Sequence, residues 1–151
     1  MNTTSATDRF AVLSARTGVS LGILHSTRGT DFNLMLAVAA RSFAPGRIYT
    51  EQEVNDILCG WLASEGSMLA VDHVELRRWL VDCRVLARDD YGRAYALGTP
   101  TPEIAVFVGL LSGVDLAAIG DAARSRDSKA REVRKRIWDE GKWNKGRGAQ
   151  S

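Results

Sequence analysis

The chain has 151 residues, 45% of them hydrophobic and 25% charged, which fits one compact domain with appendages and leaves enough apolar material for a core. Its longest apolar run, Ile104 to Leu111, is far short of the roughly 20 residues needed to span a bilayer, and Met1 to Asp8 is polar without a basic start, so a cytoplasmic protein without a membrane partner is expected. The formal net charge is +2, but residues 1–120 hold 10 Lys/Arg against 13 Asp/Glu while residues 121–151 hold 10 against 5, so the whole basic excess lies in the last fifth of the chain.

Residues 1–7 read as a disordered lead. Asp8 is placed to cap a short helix from Arg9 to Ala15, with Phe10, Val12 and Leu13 inward and Gly18 as its stop. Val19, Leu21 and Ile23 alternate with Ser20, Gly22 and Leu24, the pattern of a short strand, and Ser26 to Thr30 reads as a loop. Asp31 is the expected N-cap of a helix on which Leu34, Met35, Val38 and Ala39 recur at helical spacing until Pro45-Gly46 stops it. Arg47-Ile48-Tyr49 is a short extended segment.

Thr50-Glu51-Gln52-Glu53 is a capping box: the Thr50 hydroxyl can accept from the Glu53 amide while the Glu53 carboxylate reaches back to the Thr50 amide. The helix it opens carries one apolar stripe, Val54, Ile57, Leu58, Trp61 and Leu62, with Gly66 as a stop. Asp72 and Glu75 repeat the spacing and open a helix to Cys83 with Leu76, Trp79, Leu80 and Cys83 on one face. Val85 to Arg88 and Arg93 to Leu97 flank a turn ending in Gly92, the signature of a β-hairpin. Pro102 suits a first helical position, and Ile104 to Ile119 is too apolar to stand free, so it packs on the body or makes a self-association or partner contact. From Arg124 onward the chain is charged and helix-prone, and its end is expected to fray.

The order helix, short strand, helix, helix, strand, turn, strand is that of a winged helix-turn-helix. The expected class is α+β, mainly α, with a C-terminal helical extension: a lead at 1–7, a winged-helix domain at 8–97, an apolar extension at 98–127 and a basic tail at 128–151. Phe43 to Leu58, followed by Leu76-Arg77-Arg78-Trp79-Leu80-Val81-Asp82 and by Leu86, Arg88, Gly92 and Tyr95, resembles the domain-of-unknown-function 2087 family over roughly residues 10–97. The resemblance implies a short bacterial, regulator-associated domain and implies no activity.

Arg77 and Arg78 on the second helix of the helix-turn-helix are candidates for contacts to double-stranded DNA, since arginine binds guanine edges or phosphates. Their alternative is pairing with Asp82, Glu53 or Asp56. Arg88 and Arg93 flank the wing turn, where Asp89 and Asp90 oppose a phosphate contact. Residues 31–97 hold seven Arg against ten acids, so the basic tail, with Lys129, Arg131, Arg134, Lys135 and Arg136 beside Trp138 and Trp143, carries the stronger electrostatic case. In the competing reading Val133, Ile137 and Trp138 pack on the body, or an acidic protein attracts the tail. Cys59 and Cys83 are expected as buried free thiols, and no ligand pattern joins them to His25 or His73. Gly-x-Ser-x-Gly, Gly-x-x-x-x-Gly-Lys and H-E-x-x-H are absent from the sequence, so no enzyme, cofactor or metal is expected. The function expected is a nucleic-acid-binding bacterial transcriptional regulator, or else a non-catalytic protein-interaction module.

Overall fold

The computed structural model describes the backbone of residues 1–148 and the side chains of residues 1–141. Seven helices and a small antiparallel sheet follow in the order α1 (Thr3–Ser14), α2 (Leu21–Thr27), α3 (Gly29–Ala40), β1 (Tyr49–Thr50), α4 (Glu51–Leu62), α5 (His73–Asp82), β2 (Leu86–Arg88), β3 (Ala94–Leu97), α6 (Pro102–Leu110) and α7 (Leu116–Gly148) among the described residues. This is an α+β chain, mainly α.

The N-terminal third departs from expectation in three places. Residues 1–7 are not a disordered lead: α1 starts at Thr3, because the Asn2 side chain accepts from the Ser5 amide at 2.8 Å and caps it. Phe10 and Leu13 are buried as expected, with Ala6 one turn earlier, but Val12 faces outward. The expected strand at Val19 to Ile23 is helix α2, capped by Ser20. Leu21 and Leu24 are three apart and bury together, while Ile23 is exposed, so the alternation concealed a helical pair. Val19 alone behaves as a strand residue, exchanging backbone bonds with Met68 and Ala70. Asp31 is not an N-cap, since α3 starts at Gly29. Instead it is buried in the first turn, where its two carboxylate oxygens accept from Arg9 at 2.6 Å each. That bond raises the Arg9 pKa against the opposing effect of burial.

From Phe43 to Leu97 the local signals hold. Both halves of the capping box form, Glu53 amide to Thr50 at 3.1 Å and Thr50 amide to Glu53 at 3.0 Å. The bond from the Thr50 amide holds the Glu53 carboxyl below its ordinary range. Asp72 caps α5 through the Glu75 amide at 2.8 Å. Between these helices the chain turns tightly over Trp61: a β-carbon on Gly66 would stand 2.4 Å from the indole, so only glycine fits. The short strand joins the hairpin as its third member, in the order β1-β3-β2, with Tyr49 opposite Tyr95 and Arg88 on the other side of Tyr95. Gly92, at φ +67°, makes the turn between β2 and β3.

The expected division between a domain at 8–97 and an extension at 98–127 does not separate two cores. Ile104, Phe107, Leu111 and Leu116 join one buried cluster with Phe10, Leu34, Met35, Leu58, Leu76 and Leu86. Helix α6 packs on α3, and α7 starts against α1. The apolar 104–119 segment therefore has its partner within the chain. Residues 128–141 of α7 are all exposed. The helix has 33 residues, so the part beyond Asp127 extends about 30 Å. No helix among the described residues is long and apolar enough to cross a membrane.

Candidate nucleic-acid interface

Two elements converge on a cleft of about 320 Å³ lined by Val74, Arg77, Arg78, Val81 and Asp82 of α5 and by Arg88 of β2. Helix α5 buries Leu76 and Leu80 and rests on α4 and β2, which turns its opposite face, with Val74, Arg78 and Val81, to the cleft. Three of the arginines expected from sequence thus meet, and they do not have the same role.

Arg77 is a brace. Its guanidinium donates to the Asn55 side chain on α4 and pairs with Glu51 at 3.2 Å, and its side chain is 18% exposed. The expected partners were Asp82, Glu53 or Asp56, and none of them is the one used. Arg78 is exposed and makes no ion pair among the described residues, Asp82 included. Arg88 is exposed on β2 and completes the cleft wall. The lining thus combines two arginines open to solvent, one arginine held by α4 and one carboxylate.

Arg84 is a residue that helical spacing alone does not single out. It follows α5 in the left-handed region, at φ 62°, where its amide bonds Val81 at 3.0 Å and the Val85 amide bonds Leu80 at 2.9 Å. This is a Schellman cap with arginine in the position glycine normally takes. Its side chain lines a groove shared with Arg88, Val81 and Leu86, adjoining the first cleft. The signal available in sequence was the Asp82-Cys83-Arg84-Val85 junction, a helix stop without glycine.

At the hairpin tip Arg93 lies with its guanidinium 5.8 Å from the centre of the Tyr91 ring and does not line the cleft. Asp89 is occupied by its own turn, accepting from the Arg93 amide at 2.8 Å and the Ala94 amide at 3.3 Å. These bonds, the Arg93 amide first, hold its carboxyl below the usual range. Tyr91 is exposed at the apex.

The tail residues Lys129, Arg131, Arg134, Lys135 and Arg136 all stand exposed on α7, and none lines the cleft. Arg131 pairs with Asp127 at 2.7 Å. Val133, Ile137 and Trp138 do not pack on the body: they are 49%, 64% and 70% exposed. The side chain of Trp143 lies outside the described residues. Trp61 is buried, whereas Trp79 is half-buried and meets the Phe32 ring edge-on and the His25 ring at a tilt. Cys59, expected inside, is exposed on α4 because the α4 stripe turns Leu58 and Trp61 inward beside it. Cys83 is half-buried, and burial, then Asp82, pushes its thiol up. No metal-binding group of His, Cys, Asp or Glu occurs among the described residues.

The family model for DUF2087, described as uncharacterized protein conserved in bacteria, matches residues 26–97. That stretch is just under half of the chain, and it contains every residue of the cleft. It begins later than the resemblance from residue 10, leaving α1 and most of α2 outside. No curated protein and no solved structure matches the chain.

Proposed function

We propose that α3 to β3 form a winged helix-turn-helix and that the chain is a double-stranded-DNA-binding protein acting as a bacterial transcriptional regulator. In this reading α5 enters the major groove, the β2–β3 turn is the wing, and α7 holds neighbouring phosphates. The observation that carries the reading is the cleft in which Arg78 of α5 and Arg88 of β2 stand open to solvent on one face. Arg84 extends that face. Arg77 is a positioning residue: it holds α5 against α4 and leaves Arg78 to contact base edges or phosphate. Of the acids in residues 31–97, Asp31 is buried and paired with Arg9, while Glu53 and Asp89 accept from Thr50 and the turn amides.

The test is a gel shift on random-sequence duplex at low salt. The full chain is expected to bind, and Arg78→Ala with Arg88→Ala is expected to lose at least tenfold in affinity while melting like the parent. Absence of a shift at low salt, or an unchanged shift for the double variant, defeats the reading.

A second reading has one observation of its own. The exposed Val133, Ile137 and Trp138 on a basic helix suit an acidic protein surface, so an interaction module would use the far half of α7 rather than 104–119. In that case removing residues 128–151 abolishes partner binding and leaves duplex binding nil throughout.

A further inference from the structure

We propose that the seam between α1, the turn after α4 and α7 is a binding site for a phosphate group. It is separate from the α5–β2 cleft and does not depend on the DNA-binding reading. The seam is a cleft of about 240 Å³ whose walls include Arg16, Arg124, Arg131, Ser14, Ser67 and Asp127. Ser14 is 1% exposed, and its hydroxyl has no hydrogen-bond partner. Arg124 donates through Nη2 to Asp121 at 2.6 Å, but its Nη1 is buried and also has no partner.

These two unmet groups lie together. Around the position of a β-carbon on Gly120, Arg124 Nη2 stands at 3.2 Å, Nη1 at 3.3 Å and Ser14 Oγ at 3.4 Å. Glycine at 120 leaves the space in which the guanidinium folds back toward Ser14. A buried donor without an acceptor is costly, and here two of them border a cleft holding three arginines and one carboxylate. Asp127 is balanced by Arg131 and Arg124 is paired with Asp121, so Arg16 supplies the excess positive charge while Arg124 offers its unmet Nη1 donor. A compact oxyanion satisfies that arrangement: guanidinium forks bind phosphate oxygens, and a serine hydroxyl adds a donor. The cleft is smaller than typical pockets for drug-sized ligands, which favours a phosphate or a small monoester over a nucleotide. Occupancy would join α1, the 64–68 turn and α7 through one ligand.

The probe is inorganic phosphate, titrated calorimetrically into the full chain at constant ionic strength set with chloride. Saturable binding at one site is expected. Arg124→Gln should bind at least tenfold more weakly, and Arg126→Gln, an exposed neighbour outside the cleft, should match the parent. Ser14→Ala provides a second reading if the arginine variant folds poorly. In chloride its Tm should rise, because an unpaired buried hydroxyl is gone, while the Tm increase produced by phosphate should shrink. Phenyl phosphate and dimethyl phosphate then separate the sources. The seam's excess positive charge predicts preference for phenyl phosphate, the dianionic monoester, whereas preference for the diester assigns the site to a nucleic-acid backbone. No saturable binding by any of the three, or equal binding by Arg124→Gln and Arg126→Gln, overturns the proposal.

Discussion

The α5–β2 cleft and the far half of α7 are both rich in arginine, and they hold it differently. In the cleft one arginine is fixed by Asn55 and Glu51 on the neighbouring helix, and the exposed ones stand on two elements that share a core. On α7 past Asp127 the cations ride a single exposed helix, with only the Arg131–Asp127 pair within one helical turn among the described residues. Positioned side chains can set register against a groove. Charges on a solvated helix supply attraction without register, and salt screens them. The comparison teaches that local charge density is a poor guide to a reading surface. The richer patch is the one with less support beneath it.

The largest effect expected from breaking this comparison is on stability. A chain cut after Gly98 loses Ile104, Phe107, Leu111 and Leu116, each worth about 1.5–3 kcal/mol of burial, against a total stability of about 5–15 kcal/mol for an ordinary domain. It should show no cooperative melt by circular dichroism. A chain cut after Asp127 should melt cooperatively near the parent temperature, since residues 128–141 are exposed. If the 1–98 chain melts cooperatively, α6 and the start of α7 are dispensable and the single-core account is wrong.

A smaller contrast separates the adjacent arginines. Arg77→Ala strands the Asn55 side chain at a half-buried helix contact and should cost about 1–3 kcal/mol in urea unfolding. Arg78→Ala should stay within about 0.5 kcal/mol. Equal costs would mean that Arg77 is no brace. Arg84→Gly should go the other way and stabilise by about 1 kcal/mol, because glycine adopts the left-handed cap without strain. If arginine is kept there for its charge, that same variant should weaken duplex binding. The smallest effect is in acid. Glu53 and Asp89 both titrate below their ordinary values in the folded chain, so the unfolded state takes up protons first as the pH falls. Their contribution is intact above the ordinary carboxylate range and is lost as the pH falls through the folded values. Glu53→Gln with Asp89→Asn should flatten the fall of Tm between pH 5 and pH 3. An unchanged acid limb would remove both groups from the account.

The segment from Phe43 to Leu97 was legible in sequence because its signals are local. A capping box spans four residues, the Asp72–Glu75 start spans four more, and a hairpin needs only alternating residues and Gly92. The N-terminal third was not legible in the same way. Val19 to Ile23 satisfies alternation and a helical pair equally, and only the burial of Leu21 with Leu24 decides between them. Asp31 looks like a cap until Arg9 is brought to it from 22 positions away. The site shows the same limit. Arg78 and Arg88 could be picked from sequence, but the tie between Arg77 and Asn55 needs α4 and α5 docked. The juxtaposition of Ser14 and Arg124 over Gly120 needs α1 laid along α7.

The most direct test of the central claim is duplex affinity measured by fluorescence anisotropy across a salt series, for the full chain and for Arg78→Ala with Arg88→Ala. If both arginines meet phosphates or bases from the cleft, the parent should bind with a steep salt slope, and the double variant should lose affinity with the slope reduced by up to about 2. A parent that fails to bind at low salt, or a double variant with the same affinity and slope as the parent, would contradict it.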